Sequence, residues 1–226
     1  MTTVSPRNEA ARITVRKFLP KDRDALRRIC CDTAHFGEPC EVFFPDRELL
    51  ADLVMKYFTD YDSRYTWVAE EQGTPVGYVC ACVDDRAYSR TMLLRILPVS
   101  LAKMLARGKI FSAKTGRMIK YNVLSAFQGD ARLRPCAARE YPVHIHQNIM
   151  DGYRGRGIGR KLLIPLLEEA ARRRWGIRFR ALRQVPRFAF FERFGFRRLD
   201  VTRVKTWEAW LHRAPLYYME YGKRYE

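Results

Sequence analysis

Apolar and polar residues follow two different repeats along the first part of the chain. Residues 12–18 alternate apolar and polar side chains, which is typical of a half-buried strand, and Pro20 ends the alternation. Residues 21–33 and 46–58 place their apolar residues at helical spacing, so each predicts a helix with one buried face. A hairpin follows, with predicted strands at residues 66–70 and 75–83.

The second half of the chain alternates strands and helices. A long helix with one apolar face is predicted at residues 157–174, and Pro165 lies inside it. A proline there costs about 3 kcal/mol, so we expect the helix to bend at Pro165 or to have different bounds. The other predicted elements are strands at 143–150, 177–182, 196–204 and 215–221 and a short aromatic helix at 185–193.

The region between these halves has a composition of its own. Residues 86–129 contain nine Lys or Arg residues and no Asp or Glu. Their leucines recur at helical spacing, and Pro98 interrupts the repeat. We therefore predict a single domain over residues 1–226, with a basic helical insertion at residues 86–139 packed on it.

Composition indicates a folded protein. The 226 residues are 47% hydrophobic and 30% charged with a net charge of +17, which leaves enough apolar side chains for a core. The longest stretch without Asp, Glu, Lys or Arg is residues 72–83, which is too short for a membrane span. The N-terminus also lacks the apolar segment of a secretory signal. We expect a cytoplasmic protein, with the nucleus as an alternative.

The six cysteines show neither paired metal-ligand spacing nor the density of a disulfide scaffold. Cys80 and Cys82 share one face of a predicted strand, but the sequence supplies no two further ligands beside them. We predict reduced, mostly buried thiols and no metal.

The most informative motif is a glycine-rich turn, YRGRGIGRK, at residues 153–161, between a predicted strand and a predicted helix. Backbone N–H groups in such a turn point at whatever lies above the helix N-terminus, and the helix dipole favours an anion there. The turn lacks the GxxxxGK and Ser or Thr of a nucleotide triphosphatase loop. Its GxGxG spacing also differs from the GxGxxG of dinucleotide folds.

The run R-x-x-G-x-G from Arg154 to Gly159 resembles the acyl-CoA pyrophosphate loop of the GCN5-related N-acetyltransferases, the GNAT family. FFERFGF at residues 190–196 is similar to a later signature of that family. The segments FGEP…FFPDRELLADLVMKYFTDY and YPVHIHQNI resemble a subgroup that includes the acetyltransferase-like domains of some O-linked N-acetylglucosaminidases. The resemblance covers nearly the whole chain except the basic insertion. It implies an α/β (α+β) fold with a mixed, mostly antiparallel sheet of about seven strands flanked by helices.

The resemblance also implies a reaction. Family members transfer the acetyl group of acetyl-CoA, as co-substrate, to a primary amine of a small molecule or to an exposed protein amino group, by direct attack on the thioester. In them the strand before the loop splays from its neighbour, and here the N–H of Ile149 or Met150 would polarise the thioester carbonyl. The implied cofactor-binding residues are Ile149, Met150, Arg154, Gly155, Arg156, Gly157, Ile158, Gly159, Arg160, Lys161 and Phe191.

A base must take the proton of the attacking amine. His144 and His146 project from one face of the predicted strand, with Asn148 beside them. The pair resembles the two histidines of arylalkylamine N-acetyltransferases, so we predict His146 as the base with His144 beside it. Both histidines could equally satisfy hydrogen bonds within the sheet. The rival bases are Asp84, Asp85, Glu38 and Glu41.

One departure from the family concerns the general acid. Many members carry a tyrosine in the aromatic signature to protonate the departing thiolate, whereas this chain has Phe190 and Phe191, and Gln184 where an Asn is common. The substitutes that the sequence offers are Tyr141, Tyr217 and Tyr218. A catalytically weak or inactive module that binds CoA and a protein or nucleic acid is therefore the alternative to an enzyme.

The net charge of +17 suggests a polyanionic cofactor, an acidic partner or non-specific nucleic acid. No zinc finger, RNP motif or helix-turn-helix spacing supports sequence-specific nucleic-acid binding. The insertion could line the acceptor site as a lid. It could also rest on an anionic membrane, although Pro98 and the irregular spacing argue against this.

Overall fold

A seven-stranded sheet organises the protein. The computed structural model describes residues 13–44, 46–129 and 140–225. The strands, in the sheet order β1-β2-β3-β4-β5-β7-β6, confirm the predicted mostly antiparallel sheet. They are β1 (Ile13–Lys17), β2 (Thr66–Glu71), β3 (Thr74–Cys82), β4 (Val143–Ile149), β5 (Ile177–Arg183), β6 (Arg197–Arg203) and β7 (Tyr217–Lys223).

The sheet opens between β4 and β5, the only parallel pair among the described strands. Their pairing is limited to Val143 with Ile177 and His144 with Arg178. β4 continues beside β3 as far as Ile149, while β5 continues beside β7. The edges of β4 and β5 that face each other therefore lack strand partners beyond His144, and a cleft opens at their carboxyl ends.

Helices cover both faces of the sheet. Residues 85–128, within and next to the predicted basic insertion, contain α3, α4 and α5, and residues 130–139 of that prediction lie outside the described residues. The helices are α1 (Arg23–Asp32), α2 (Arg47–Lys56), α3 (Asp85–Thr91), α4 (Leu97–Ala106), α5 (Ala113–Gln128), α6 (Ile158–Arg173), α7 (Ala189–Glu192) and α8 (Lys205–Leu211).

We predicted that Pro98 interrupts the helical repeat of the insertion, and it does not. It lies in the first turn of α4, and a π-helical turn at Met92–Ile96 joins α3 to α4 without a break. The N–H of Leu97 donates to the carbonyl of Met92, five residues back. A proline offers no N–H to the preceding turn, and a π-type turn is one way for a helix to continue past that gap.

Two apolar layers flank the sheet. α6 packs Leu162, Leu163 and Leu166, all fully buried, against one face. This helix is continuous through Pro165, so its predicted bounds are nearly confirmed. The opposite face carries Tyr78 and other residues of β3, which pack against α1 and the end of α2.

The pattern missed one helix and the order of the last strands. α8 has four apolar or aromatic residues in a short segment that gives no clear periodicity, and we predicted no element there. The predicted aromatic helix at 185–193 is shorter, at Ala189–Glu192. The last strand, β7, lies between β5 and β6, an arrangement that strand periodicity does not encode.

We predict that the native thiols react slowly. All five described cysteines are buried, and burial raises the pKa of Cys30 to about 12 and that of Cys82 to about 11. Only thiolates react readily, so Ellman's reagent at pH 8 should modify these five at least about tenfold more slowly than in unfolded protein. Cys136 lies outside the described residues, and the prediction does not cover it. Rapid modification of more than one thiol in the folded protein would contradict the burial.

Candidate active site

The glycine-rich turn forms an open cradle at the N-terminus of α6. Gly155 and Gly157 adopt φ of +77° and +76°, which L side chains rarely adopt. A Cβ at either position would meet nothing within 4 Å, so the space above the turn is open. The first helical hydrogen bond of α6 is donated by the N–H of Lys161 to the carbonyl of Gly157. Within the described residues, the N–H groups of residues 154–160 have no protein partner, and they can receive an anion.

Two side chains outside the turn hold it in place. Glu71, at the end of β2, accepts hydrogen bonds from the Tyr153 hydroxyl at 2.8 Å and from Arg156 at 3.0 Å. Gln147 of β4 donates to the carbonyl of Gly159 at 2.9 Å. Glu71 and Gln147 are not predictable from the sequence pattern, since their role depends on strands β2 and β4 ending beside the turn.

Arg154 links the turn to the segment between α1 and α2. Its Nε donates to the carbonyl oxygen of Ile149 at 3.3 Å. Its guanidinium lies against Gly37, where a Cβ would be 2.3 Å from Nη1. Arg154 thus spans the mouth of the cleft and covers a backbone acceptor of β4. A ligand that needs this acceptor has to displace the guanidinium.

Only one of the two predicted backbone donors faces the cleft. The N–H of Met150 donates to the carbonyl of Val76 at 2.9 Å, so it is already used in pairing with β3. The N–H of Val143 points the other way, toward the β5 side, where it bonds Gly176. Because N–H groups alternate along a strand, the N–H of Ile149 also points to the β5 side, into the cleft. The prediction that named Met150 as a donor is wrong for this reason.

His146 lies next to β3 in a water-poor environment. It is opposite Cys80 in the register, and its Nδ1 is 3.2 Å from the hydroxyl of Tyr78. Burial lowers the pKa of His146 to about 4, and the neighbouring His144 adds to the shift. A histidine with so low a pKa is neutral at pH 7 and a weak base.

His144 has a carboxylate partner. Its Nδ1 is 2.8 Å from Oδ1 of Asp85, and the other oxygen of Asp85 accepts from Arg178. Arg178 also pairs with the fully buried Glu220 at 3.4 Å. Burial lowers the pKa of His144, and Asp85 opposes that effect by favouring the imidazolium.

The aromatic signature divides between the core and the site. Phe191 is buried, and its ring lies 3.9 Å from that of Phe179, so it packs in the core. Phe190 instead faces the cradle, since its Cζ would be 3.1 Å from a Cβ at Gly159. Phe191 therefore does not face the cradle as its predicted contact with a cofactor requires, and Phe190 lies there instead, because the helix turns successive side chains by about 100°.

The three substitute tyrosines lie at opposite ends of the sheet. Tyr141 precedes β4 and packs on Gly222, far along the strand from the glycine turn. Tyr217 and Tyr218 begin β7 and pair with the end of β5. Because β4 and β5 are parallel, only Tyr217 and Tyr218 are at the end where the cleft opens.

The rival acids have structural partners. Asp84 caps α3 by accepting from the N–H groups of Arg86 and Ala87. Glu38 accepts from His35 and Arg213, and Glu41 accepts from Arg47. Asp85 is the one rival acid in contact with a predicted site histidine.

Cys82, Asp85 and His144 bring three possible ligand atoms within 4.8 Å of one another. The sequence analysis could not assign these partners to Cys82, since they come from α3 and β4. Arg178 contacts the Asp85 carboxylate, and the pKa of the Cys82 thiol is raised to about 11. The cluster therefore fits a hydrogen-bonded His–Asp pair better than a cation site.

Comparisons with known proteins support the fold. The family model described as acetyltransferase (GNAT) domain matches residues 103–212. A search of curated proteins finds no match. The structure named SsHAT is similar over 94% of this chain and 98% of its own, with 21% identity and a TM-score of 0.67.

Two further structures show the same architecture. The Drosophila melanogaster polyamine N-acetyltransferase shares 17% identity over 94% of this chain and 100% of its own, with a TM-score of 0.56. A GCN5-related N-acetyltransferase from Kribbella flavida shares 16% identity over 94% of this chain and 97% of its own, with a TM-score of 0.55. The seven-stranded sheet, its opening and these similarities define the GNAT fold.

Across the described ranges, no helix is both long and apolar enough to cross a membrane.

Proposed function

We propose that this protein is an acetyl-CoA-dependent N-acetyltransferase that acts on a primary amine of a small molecule or on an exposed protein amino group. The observation that carries the proposal is the opening between β4 and β5, directly beside the open glycine cradle. The opening leaves backbone groups of β4 for an extended ligand, and the cradle leaves N–H groups for its phosphates.

Acetyl-CoA supplies the acetyl group as a thioester together with three phosphates. The cradle would hold its pyrophosphate through N–H groups of residues 155–160, helped by the positive charge of Arg156, Arg160 and Lys161. Arg154 would leave the carbonyl of Ile149 so that this acceptor becomes available. The N–H of Ile149 would donate to the carbonyl oxygen that gains negative charge.

His144 is a better base than the predicted His146. Asp85 holds its Nδ1 and favours the protonated ring, which is the state that a base must reach. His146 has no carboxylate within the described contacts, and its pKa of about 4 makes it a weak acceptor of the amine proton. His144 lies five residues before Ile149 on β4, about 17 Å along the strand, so we assign to it the uptake of the amine proton through intervening water molecules, and to Asp85 a positioning role.

Calorimetric titration and a turnover assay test the proposal together. The protein is titrated with acetyl-CoA, 3′-dephospho-CoA and ATP, and then incubated with acetyl-CoA and a panel of amines while free CoA thiol is measured. We expect selective binding of acetyl-CoA and amine-dependent thiol release. If no binding occurs at millimolar acetyl-CoA, the acetyltransferase function is wrong.

A CoA-binding module with little or no turnover is the second candidate. Phe190 faces the cradle where many family members have a hydroxyl, and a phenylalanine cannot protonate the leaving thiolate. Binding without thiol release from any amine would favour this candidate. Release of thiol would instead direct attention to Tyr217 and Tyr218 as proton donors.

We also propose membership of the subgroup related to the acetyltransferase-like domains of O-linked N-acetylglucosaminidases. Two distant segments carry that resemblance, and Arg154 links them, because its guanidinium lies against Gly37 of the first and it donates to the carbonyl of Ile149 at the end of the second. If the contact between Gly37 and Arg154 is a feature of the subgroup, the selectivity of this protein for acetyl-CoA should depend on it. Acetyl-CoA selectivity that survives Gly37→Ala unchanged would contradict this role.

Asp85→Asn is expected to lower kcat about tenfold and to move the acidic limb of the pH–rate profile to lower pH. The asparagine removes the charge that opposes the lowered pKa of His144, so that pKa falls further and the base weakens. The measurement is kcat/KM against pH for thiol release.

Asp84→Asn is the matched control, because asparagine still caps α3 and the change is one residue away. It should leave the profile unchanged. His146→Ala should also retain the acidic limb, whereas His144→Ala should abolish it. An Asp85→Asn enzyme with the wild-type profile would rule out His144 as the base.

A further inference from the structure

The insertion exposes an unusual share of the protein's apolar side chains. Among the described residues, 17 large apolar side chains are exposed, and ten of them lie in residues 86–129. Phe111 and Phe127 are each 86% exposed. Single exposed apolar residues are normal, but a concentration of this kind marks a surface that contacts something apolar. The ten are Leu93, Leu94, Val99, Leu101, Leu105, Phe111, Ile119, Val123, Leu124 and Phe127.

Helix α4 is apolar on the outside as well as the inside. Ser100 and Met104 are its buried residues, in line with Ile96 of the preceding turn. Leu101 and Leu105 face outward. A helix that is apolar around most of its circumference is normally buried or in contact with lipid, whereas α4 is covered along one narrow line.

Helix α5 combines an apolar stripe with a basic border. Its inner side packs Met118 and Tyr121 next to α8. Ile119, Val123 and Phe127 recur every four residues on its exposed side. Arg117 and Lys120 are exposed beside that stripe. This distribution is typical of helices that lie in the interface of an anionic membrane.

Six of the nine basic residues of the insertion are available for an anionic partner. Three are tied to the domain: Lys103 lies 3.8 Å from Asp52, Arg107 bonds Asp46, and Lys114 bonds the carbonyl of Glu41. The others are exposed, and in the described part of the chain none has an acidic side chain within 4.0 Å. They are Arg86, Arg90, Arg95, Lys109, Arg117 and Lys120.

The charge and the shape favour a membrane over other partners. A second copy of this chain would place a surface without acids against itself, which like charges oppose. The phosphates of a nucleic acid would neutralise the cations, but the exposed apolar rings of Phe111 and Phe127 would then lie against charged phosphates, which do not favour them. Phe111 lies in the turn before α5 and Phe127 near its end, so both project outward. A fluid bilayer accepts projecting side chains without needing a matching pocket.

We propose that the outer surface of the insertion binds anionic lipid bilayers, with the apolar side chains in the interface and the six cations at the lipid headgroups. In the sequence, Pro98 argued against a membrane-binding helix, but the helix continues from α3 through α4 past this proline. The attachment is peripheral, because the insertion lies on the surface of the folded domain.

Vesicle cosedimentation of the full chain at physiological ionic strength tests the proposal. We expect binding to vesicles of phosphatidylcholine mixed with phosphatidylglycerol and little binding to phosphatidylcholine alone. Arg117→Glu with Lys120→Glu should weaken binding at least about 20-fold, since each cation near such a surface contributes on the order of fivefold. Phe111→Ser with Phe127→Ser should weaken it about tenfold or more.

Matched variants outside the insertion separate this surface from general charge and hydrophobicity. Arg193→Glu with Arg197→Glu makes the same change in net charge, and Val185→Ser with Val201→Ser removes two exposed apolar side chains. Both should bind as the wild type does. All the replaced side chains are exposed, so circular dichroism should report unchanged folding.

Three results would overturn the proposal. The first is equal loss of binding in the Arg193→Glu/Arg197→Glu variant, which would mean that net charge alone acts. The second is wild-type binding by the phenylalanine variant together with equally tight binding to polyglutamate, which would mean that the partner is an acidic macromolecule. The third is no binding to mixed vesicles.

Discussion

Replacing Gly157 with glutamate is expected to weaken acetyl-CoA binding at least about 100-fold. Gly157 lies in the middle of the cradle, where the N–H groups of the turn and of the first residues of α6 converge. Its φ of +76° suits glycine, and the space above it is open. A glutamate would therefore fit sterically but would place a carboxylate where the phosphates are expected. Calorimetric titration of the variant with acetyl-CoA measures the effect.

Gly108→Glu is the control for backbone strain. Gly108 also has a positive φ, of +64°, and a Cβ there would likewise meet nothing within 4 Å. It lies in the insertion between α4 and the turn that precedes α5, away from the cradle. Both variants should lose a similar amount of thermal stability, because a side chain is disfavoured in this conformation. Only Gly157→Glu should lose affinity for acetyl-CoA. Equal affinities in the two variants would remove the cradle as the phosphate site.

Asp52→Ala is expected to destabilise the fold by about 3 kcal/mol or more, as is typical when one partner of a buried ion pair is removed. Asp52 is 1% exposed on α2, and it accepts from Arg27 at 2.7 Å and from Ser100 at 2.9 Å. It therefore joins α1 and the insertion to α2. Its loss leaves the buried guanidinium of Arg27 with the exposed Glu48 as its remaining described carboxylate partner. Urea unfolding at pH 7 measures the change.

The same pair predicts a pH dependence of stability. Burial raises the pKa of Asp52, but the hydrogen bonds from Arg27 and Ser100 outweigh it, so the pKa is lowered from its ordinary value of 3.8. The ion pair therefore contributes fully above pH 3.8, and its contribution is lost as the pH falls through the lower pKa of the folded state. The difference between wild type and Asp52→Ala should be constant from pH 5 to pH 7 and should shrink in stronger acid.

Asp24→Ala provides the comparison for surface charge. Asp24 lies on α1, its side chain is 87% exposed, and it pairs with Arg23 on the surface. Its removal should change stability much less than the removal of Asp52. If both variants unfold at the same urea concentration, the buried pair does not stabilise this fold.

Local patterns predicted the elements of the structure well. Alternation identified β1, and helical spacing identified α1, α2 and α6, because each has one face in the core and one in solvent. The glycine turn was predicted at its place before α6, because the positive φ of Gly155 and of Gly157 is a requirement that glycine meets locally. The lack of acidic residues together with leucines at helical spacing predicted helices in residues 86–129, where α3, α4 and α5 lie.

The site depended on contacts between distant segments. The partner of His144 is Asp85, 59 residues earlier, and the partner of His146 is Tyr78, 68 residues earlier. Their meeting follows from the register of β3 against β4, and a pattern within either strand does not encode that register. The lowered pKa of His146 likewise results from burial. Burial therefore makes His146, the base predicted from the sequence, a weaker base than His144.

The sequence by itself determined most of the helices and strands, the glycine-rich turn and the basic character of residues 86–129, since these follow from local backbone preference, side-chain period and charge. The tertiary structure decided which N–H of β4 faces the cleft and which phenylalanine faces the cradle. It also decided which leucines of the insertion remain exposed to solvent. These depend on the direction in which a side chain or a backbone group points after packing, and a difference of one residue reverses it.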